Sequence, residues 1–432
     1  VEEGDGGMSK FKRYERYKDS GVEWIGEIPE HWEIKKIKYI SNITMGQSPK
    51  SEECSLDETG LPFLQGNAEF TSLHPIPKIY CNTANKFSKV NDILLSVRAP
   101  VGAMNISDRV YGIGRGLCAI TANKVQVRYL WYSMNVSLEE LFIKSKGSTF
   151  EAVTVTDVNN LLSILPPKNE QIAIANFLDQ KTAEIDGLIA DKEKLIELLQ
   201  EKRQAIITEA VTKGLNPNVR MKDSGIEWIG EIPEHWNLRR IRYLANIRNV
   251  KASDSDIDKT YVGLENIESK TGKLLTNGDD EQQFVGETAN IFKKGDVLFG
   301  KLRPYLAKCI IADFDGRCTS ELLVLKTTSY ILPKYLHFFM LSPKFIDVVN
   351  SSTYGAKMPR ASWDFIGNLE IPLPSIKEQE DIVEYLTEFI SRIDDLISDI
   401  NTQIQKLKEY RQSLISEAVT GKIDVRDYVV SN

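Results

Sequence analysis

Residues 18–43 read KDSGVEWIGEIPEHWEIKKIKYISNI, and residues 222–247 read KDSGIEWIGEIPEHWNLRRIRYLANI. The two stretches lie 204 residues apart and are identical at 18 of 26 positions. A second pair, Pro166–Leu215 and Pro374–Ile423, matches at an offset of 208. Two ordered matches at nearly equal offsets indicate a tandem duplication, so the sequence predicts a pseudo-twofold molecule with two similar halves.

The composition is typical of a globular protein with several domains. The chain has 432 residues, of which 42% are hydrophobic and 27% are charged. At roughly 100–200 residues per domain, this length predicts two to four domains. No apolar run approaches the ~20 residues that span a bilayer, so we expect no membrane contact.

The five cysteines (Cys54, Cys81, Cys118, Cys309 and Cys318) show no C-x-x-C spacing. An odd number without that spacing predicts packing thiols in a reducing compartment and argues against a zinc site or a disulfide framework. We therefore expect a cytoplasmic protein.

The second matched pair predicts two long helices. Apolar residues recur at alternating steps of three and four over about four heptads, as in the seam of a coiled coil. The predicted seam positions are Leu178, Ile185, Leu188, Leu195, Leu199 and Ile206 in the first helix, where Lys181, Lys192 and Lys202 interrupt the stripe, and Leu386, Phe389, Ile393, Leu396, Ile400, Leu407 and Leu414 in the second. Since exposing either apolar stripe to water is unfavourable, we expect the two helices to pair with each other.

The parts between the helices predict compact α+β domains. Strand-like runs at Ile93–Val97 and Val297–Phe299 follow turn residues, and helical patterns occur at Arg128–Ser145 and Pro333–Val349. The predicted organisation is an N-terminal extension (1–17), a first domain (18–163), a helical region (164–215), a second domain (216–370), a second helical region (371–425) and a tail (426–432).

The net charge of −7 hides a regional asymmetry. Residues 32–150 carry about 14 Lys and Arg against 10 Asp and Glu, and residues 236–357 carry about 18 against 14. The two domains are therefore net positive and the helices are acidic. A basic cluster opens each domain at a matched place (Lys35, Lys36 and Lys38; Arg239, Arg240 and Arg242). Such clusters suit contacts to DNA phosphates, and a solvated strand edge is the alternative.

Polar residues follow the strand-like runs where the two halves diverge. The candidates for reading base edges are Gln65, Asn67, Arg98 and Arg115 in the first domain, and Glu265, Asn266, Lys301, Arg303, Lys357 and Arg360 in the second. Arginine pairs with guanine, and asparagine or glutamine with adenine. Any one of them can instead be an ordinary loop residue. The glycines of Gly112–Gly116, around Arg115, predict a flexible loop.

We expect no catalytic residues and no metal site. The sequence lacks the nucleotide, methyltransferase and hydrolase motifs G-x-x-x-x-G-K-[ST], N-P-P-[FY], G-x-S-x-G and H-E-x-x-H. Glu33–Lys35 matches an E-x-K nuclease element, but the second half has Asn237–Arg239 there. His31 and His235 stand beside tryptophans without other metal ligands nearby, so we interpret them as structural anchors.

With these motifs, the chain resembles the specificity (S) subunit of type I restriction–modification systems over Lys18–Ile423. The resemblance rests on the G-[VI]-E-W-I-G-E-I-P-E-H-W motif of both halves, the turns at Asn169–Gln171 and Lys377–Gln379, and the E-A-V-T helix ends at Glu209–Gly214 and Glu417–Gly421. It implies a non-catalytic DNA-recognition subunit with two target-recognition domains, one for each half of a bipartite site. An antiparallel coiled coil would set the spacer between the halves.

The same resemblance implies partners. Two methyltransferase (modification) subunits and restriction subunits would assemble on the chain and on double-stranded DNA, and S-adenosylmethionine, ATP and Mg²⁺ would bind only to those partners. The other hypothesis is a coiled-coil protein–protein adaptor without DNA specificity, which the acidic total charge and the lack of a long basic stripe favour.

Overall fold

The computed structural model describes residues 11–49, 54–58, 60–144, 153–275, 289–353, 355 and 358–428, except for the side chains of residues 139–144 and 254. The chain divides into two compact units. Unit 1 contains residues 1–191 and 403–432, and unit 2 contains residues 192–402. Each unit therefore combines one globular domain with part of both long helices, whereas the predicted boundaries kept the helices as separate regions.

Unit 1 is built from twelve named strands, two complete helices and parts of both long helices. The strands are β1 (Tyr17–Asp19), β2 (Glu27–Pro29), β3 (Glu33–Lys36), β4 (Ser41–Met45), β5 (Cys54–Ser55), β6 (Leu61–Leu64), β7 (Ile79–Cys81), β8 (Ile93–Ser96), β9 (Met104–Ile106), β10 (Gly112–Ile113), β11 (Leu117–Ala122) and β12 (Leu162–Leu165). The helices are α1 (Val127–Lys144), α2 (Val155–Asn160), the first part of α3 (Lys168–Lys213) and the last part of α8 (Ile376–Thr420).

Two four-stranded sheets form the centre of unit 1. One is antiparallel with the order β4-β11-β8-β9, and the other has the order β10-β6-β7-β5 with β10 parallel to β6. Alternate residues of β8 point to opposite faces. Ile93 and Leu95 pack against Leu130 of α1, and Leu94 packs against Leu64 of β6. The predicted strand is thus buried between a helical layer and the second sheet.

Unit 2 repeats this organisation. Its strands are β13 (Met221–Asp223), β14 (Glu231–Pro233), β15 (Asn237–Arg240), β16 (Ala245–Ile247), β17 (Tyr261–Val262), β18 (Asn290–Phe292), β19 (Val297–Gly300), β20 (Cys309–Ile311), β21 (Gly316–Cys318), β22 (Leu322–Thr327) and β23 (Glu370–Leu373). Its helices are α4 (Ile241–Leu244), α5 (Pro333–Leu341), α6 (Pro343–Ser351), α7 (Trp363–Ile366), the last part of α3 and the first part of α8.

One sheet of unit 2 matches a sheet of unit 1 strand by strand, and the other shares the parallel pair but has the order β17-β21-β18. The order β16-β22-β19-β20 corresponds to β4-β11-β8-β9, and β17 runs parallel to β21 as β6 does to β10. The helical pattern at Pro333–Val349 was predicted as one patch, but the structure has two helices. Pro343 cannot continue α5, so a new helix begins there with the proline in its first turn.

The helices α3 and α8 contain 46 and 45 residues, about 70 Å each at 1.5 Å per residue. In unit 1, Leu178 near the start of α3 packs with Leu414 near the end of α8. In unit 2, Val211 near the end of α3 packs with Ile382 near the start of α8. Since the start of one helix meets the end of the other in both units, the two helices pair in antiparallel directions within each unit.

The seam differs from the predicted one at alternate positions. Leu178, Ile185, Ile393, Ile400 and Leu414 are buried, and Leu199, Ile206, Phe389 and Leu407 are half-buried. Leu188, Leu195 and Leu396 are instead 51%, 45% and 49% exposed. The residue that follows each exposed leucine (Ile189, Ile196 and Ile397) is half-buried in its place. At each of these places two consecutive residues are apolar, so the sequence fits a seam that advances by three residues or by four. Packing against the partner helix selects the step of four.

The prediction of five free thiols is wrong for one pair. The strand β5 pairs with β7 so that Cys54 lies opposite Cys81, and their sulfur atoms form a disulfide. Because only strand pairing brings these two cysteines together, their spacing in the sequence does not reveal the disulfide. Cys118, Cys309 and Cys318 are free and buried. Burial raises the pKa of the Cys118 and Cys318 thiols to about 12.

The predicted N-terminal extension is part of unit 1 from residue 11 onward. Tyr14 is buried, and Phe11 packs edge-on against Phe177 of α3 with 5.4 Å between ring centres. Tyr17 begins β1. Residues 1–10 lie outside the described residues. None of the helices in the described part of the chain is long and apolar enough to cross a membrane.

Candidate nucleic-acid interface

In unit 1, the four predicted base-reading residues lie together. They line one cleft of about 210 Å³, whose lining residues are Gln65, Gly66, Asn67, Ser96, Arg98, Ala99, Arg115 and Gly116. The residues come from three segments that follow the ends of β6, β8 and β10. Polar residues that are far apart in sequence converge because these strands end at the same side of the two sheets.

The segment around Arg115 is closely packed, which corrects the prediction of a flexible loop. A Cβ atom added at Gly114 would lie 2.6 Å from Oε1 of Gln65, and one at Gly116 would lie 2.7 Å from the carbonyl oxygen of Gln65. The Gly114 and Gly116 amides donate to the carbonyl oxygens of Leu64 and Gln65 at 2.8 and 3.2 Å. The glycines therefore serve close packing of two backbone segments and hold Arg115 in place.

Ser48, which sequence reasoning missed, connects these segments. Its hydroxyl oxygen accepts from Nε2 of Gln65 at 2.8 Å and from the backbone amide of Arg115 at 3.2 Å. The segment after β4 reaches this place because the Gln47 amide donates to the Ile113 carbonyl at 2.8 Å. No local sequence signal marks Ser48, since its partners come from other parts of the chain.

Arg98 lines the cleft from the segment after β8. The hydroxyl of Ser96 donates to the carbonyl oxygens of Arg98 and Pro100, and the Val97 amide donates to that of Gly116. Arg98 and Arg115 are exposed. Within the described residues, no carboxylate lies within ion-pair distance of either guanidinium. The cleft thus presents two unneutralised cations and two amide side chains, which suits a polyanion with hydrogen-bonding edges.

The corresponding place in unit 2 has different chemistry. The pairing of β8 with β11 and of β19 with β22 makes Val97 equivalent to Lys301 and Gly116 equivalent to Glu321. Arg360 donates from Nε and Nη2 to the two carboxylate oxygens of Glu321, both at 3.1 Å. A β-bridge joins Leu302 to Arg360. The predicted readers Lys301, Arg303 and Arg360 therefore lie together, with the charge of Arg360 paired.

Two further predicted readers of unit 2 follow β17. Glu265 is exposed. The Oδ1 atom of Asn266 accepts from the Gly263 amide at 2.7 Å, so this side chain stabilises its own turn and its acceptor is engaged. Lys357 lies outside the described residues.

Arg303 is exposed and has a left-handed backbone with φ of 50°. That conformation is uncommon for a residue with a Cβ atom. The Arg303 amide donates to the Pro359 carbonyl at 2.8 Å, and this bond holds the backbone in the left-handed conformation. An observed outlier of this kind is a reason to suspect function.

The basic clusters on β3 and β15 are partly neutralised. Nζ of Lys35 lies 2.6 Å from the Glu33 carboxylate, and Nε of Arg240 lies 3.6 Å from that of Glu370. The remaining predicted phosphate contacts differ in their surroundings: Lys36 donates to Asn160, Lys38 lies over the ring of Tyr39, Arg242 donates to the Asp364 carbonyl, and Arg239 is exposed. None of these six residues lines the cleft.

The tryptophan–histidine motif anchors each domain to a long helix. In unit 1, Glu170 of α3 accepts from Nε1 of Trp32 at 2.9 Å and lies 2.8 Å from Nε2 of His31. In unit 2, Glu378 of α8 accepts from Trp236 at 3.1 Å and lies 2.6 Å from Nε2 of His235. Both glutamates belong to the matched turns, a signal that sequence reasoning had noted without assigning this role.

The surroundings shift the pKa of one group at each anchor, Tyr14 in unit 1 and Glu378 in unit 2. Burial and the nearby charge of Glu170 raise the pKa of Tyr14, whose hydroxyl donates to Glu170 at 3.2 Å. Burial raises the pKa of Glu378, but hydrogen bonds from His235, Trp236 and Ser375 outweigh it and lower the value to about 2. Among the residues with described positions, no group of three His, Cys, Asp or Glu side chains is arranged to hold a metal ion.

Comparison with known proteins identifies a related family. A profile described as the type I restriction modification DNA specificity domain matches residues 29–198 and 233–406, one match in each half. The chain is similar to the EcoDI specificity subunit of Escherichia coli, with 24% identity over 92% of this chain and 90% of that one. It is 25% identical to the MjaVIII specificity subunit of Methanocaldococcus jannaschii over 93% and 95% of the two chains.

One solved structure shares the fold. It comes from work on complex assembly and conformational transition of the type I R-M system, and it matches 91% of this chain and 98% of that one. The TM-score is 0.69 at 16% sequence identity, so the likeness concerns the fold alone.

Proposed function

The chain belongs to the family of type I restriction modification DNA specificity domains, and on that premise we propose that its cleft-lining side chains read DNA. It is a DNA-recognition subunit of a type I restriction–modification system, and the adaptor hypothesis is not favoured. The chain works with DNA and with other subunits of such a system, which carry the catalytic activities.

The observation that carries the proposed readout is the cleft of unit 1. Arg98 and Arg115 provide donors that have no carboxylate partner in the described part of the chain, and Gln65 and Asn67 provide amide donors and acceptors beside them. Arginine and amide side chains are the groups that discriminate base pairs in the major groove. In unit 2, the side chains that contact base edges are Lys301, Arg303 and Glu265. The six basic residues on and after β3 and β15 contact phosphates.

We further propose that each unit reads one half of a bipartite site. The two units share a topology but differ in the residues at the ends of equivalent strands, so they suit two different short sequences. The helices α3 and α8, which contribute to both units, set the spacer between the two half-sites.

The proposed assembly includes two methyltransferase subunits. Two copies of one partner bind two copies of the same surface. The exposed residues that are identical in the two units provide such a repeated surface. Examples are Glu23 and Glu227, and the exposed rings of Tyr39 and Tyr243. The exposed Leu188 and Leu396 add apolar surface on the helices. Restriction subunits join this assembly, and S-adenosylmethionine, ATP and Mg²⁺ bind to the partners.

The proposal is tested with the chain assembled with its own methyltransferase subunits. We expect methylation at one bipartite sequence, and binding to that duplex that falls steeply between about 50 and 200 mM salt because counterions are released. Exchange of residues 32–163 for the same segment of a relative is the matched variant. It should change one half-site and leave the other. Binding that is insensitive to salt, or changes in both half-sites, would contradict the proposal.

A further inference from the structure

The cleft of unit 1 contains an ordered pair of side chains whose chemistry specifies bases. Arg115 stands between two glycines that are packed against the segment after β6. The Gln65 side chain lies beside that segment, since its Oε1 would be 2.6 Å from a Cβ at position 114. The two side chains are therefore neighbours that can reach adjacent base pairs.

Ser48 fixes the orientation of the Gln65 amide. Its hydroxyl oxygen lies 2.8 Å from Nε2 and 3.2 Å from Oε1 of Gln65. Gln65 is exposed, and an exposed glutamine without such a partner loses rotamer freedom when it binds a ligand. The same hydroxyl accepts from the backbone amide of Arg115, so one residue holds both the Gln65 side chain and the Arg115 backbone.

Unit 2 has none of these three groups at the equivalent places. Counting from the paired strands, Ser48 corresponds to Ala252, Gln65 to Gly263 and Arg115 to Ser320. The constellation thus belongs to one of the two recognition units.

We propose that unit 1 reads a guanine through Arg115 and the adjacent adenine through Gln65, and that Ser48 is the positioning residue for this pair. The inference rests on the proposed function and gives the chemistry of one half-site. Arginine donates two hydrogen bonds to O6 and N7 of guanine, while an amide oxygen accepts from N6 of adenine. Ser48 occupies the edge of the Gln65 amide between Nε2 and Oε1, so Gln65 contacts the base through the second lone pair of Oε1.

The test uses the chain assembled with its methyltransferase subunits, and it measures methylation rates on duplexes that carry every single-base change of one half-site. Arg115→Lys keeps the charge but loses the two-pronged donor. We expect this variant to lose discrimination at one guanine position by about 5- to 150-fold and to keep the other half-site unchanged. Lys89→Ala, an exposed cation at the opposite end of β8, is the matched control and should leave every position unchanged.

Ser48→Ala should reduce discrimination at the adjacent adenine, and Gln65→Ala should reduce it at the same position. The double variant should be no less selective there than Gln65→Ala alone, because Ser48 acts through Gln65. A general packing role for Ser48 would lower rates on all duplexes equally, and that result overturns the positioning role.

A recognised half-site without guanine, or unchanged base discrimination in Arg115→Lys, overturns the reading of guanine while sequence-specific methylation persists. Absence of any sequence-specific methylation by the wild-type complex would instead contradict the proposed function itself.

Discussion

Arg203 of α3 forms an ion pair with Asp394 of α8 in the seam of unit 2, where Nη1 lies 3.6 Å from Oδ1. The duplication repeats this pair in unit 1, because Asp186 and Arg411 stand 208 positions from Asp394 and Arg203 and their side chains are 2.9 Å apart. The Arg203 guanidinium also donates to the Thr271 carbonyl at 2.8 Å, which ties the helices to the domain of unit 2. Polar pairs in a coiled-coil seam specify its register, since a shifted register leaves them without partners.

The first prediction concerns the different burial of the two pairs. The Arg203 side chain is 6% exposed, and Arg203→Ala removes its contacts to Asp394 and to the Thr271 carbonyl, so it should destabilise unit 2 by about 2 kcal/mol. Asp394 keeps a second partner, because Nζ of Lys273 lies 2.8 Å from its Oδ2. In the other pair, the side chains of Arg411 and Asp186 are 29% and 54% exposed, and Arg411→Ala should cost less than about 1 kcal/mol. Hydrogen exchange resolved by segment in the full chain measures both. Equal effects of the two variants would contradict the assignment.

The second prediction concerns acid stability at the start of α8. The pKa of Glu378 is about 2 in the folded protein, against 4.5 ordinarily. A lowered carboxylate pKa contributes stability above pH 4.5, and this contribution disappears as the pH falls through 2. Because the side chain is 35% exposed, water screens the effect, and we expect about 1 kcal/mol. Glu378→Gln should therefore flatten the pH dependence of unit 2 unfolding between pH 5 and 2.

The exposed Glu384 of the same helix supplies the control for this measurement. Glu384→Gln should keep the acid dependence of the wild type. An unchanged acid dependence in Glu378→Gln would mean that the bonds from Trp236 and His235 do not stabilise the ionised form.

The sequence predicted those elements whose signal lies within a short stretch of residues. The duplication, the two long helices and the strands around Ile93 and Val297 follow from repeated segments, heptads and turn signals. The alternate seam positions do not follow, because Leu396 and Ile397 both fit a heptad and only the partner helix selects between them. Similarly, four cleft residues were found as polar residues after strands, whereas Ser48 meets Gln65 only through long-range pairing.

The third prediction separates backbone strain from recognition at Arg303. Its left-handed backbone disfavours any residue with a Cβ, so Arg303→Gly should be more stable than Arg303→Ala by about 1 kcal/mol. Both variants remove the guanidinium and should relax one position of the half-site read by unit 2 by about 1–3 kcal/mol. Thermal unfolding and the methylation profile of the assembled complex measure the two effects. Lys326→Ala, an exposed cation of β22, is the control and should alter neither.

The last prediction concerns the segment after α8, which completes unit 1. The Asp424 amide donates to the Lys12 carbonyl at 2.7 Å, and the hydroxyl of Tyr17 donates to the Gly421 carbonyl at 2.9 Å. Ile423 and Val425 are buried, and the ring of Tyr428 packs edge-on against Phe177. In unit 2, the segment after α3 runs directly into β13, so a covalent connection takes the place of this contact between distant parts of the chain.

Truncation after Gly421 should therefore destabilise unit 1 and leave unit 2 unchanged. Burial of two aliphatic side chains and one aromatic ring is lost, which at about 1.5–3 kcal/mol for each side chain amounts to at least about 4 kcal/mol. Truncation after Tyr428 removes only residues 429–432 and should have no effect on unit 1. Segment-resolved hydrogen exchange distinguishes the units, with faster exchange expected in β1, β2 and the start of α3. Equal loss of protection in both units would show that the segment after α8 does not act through its contacts in unit 1.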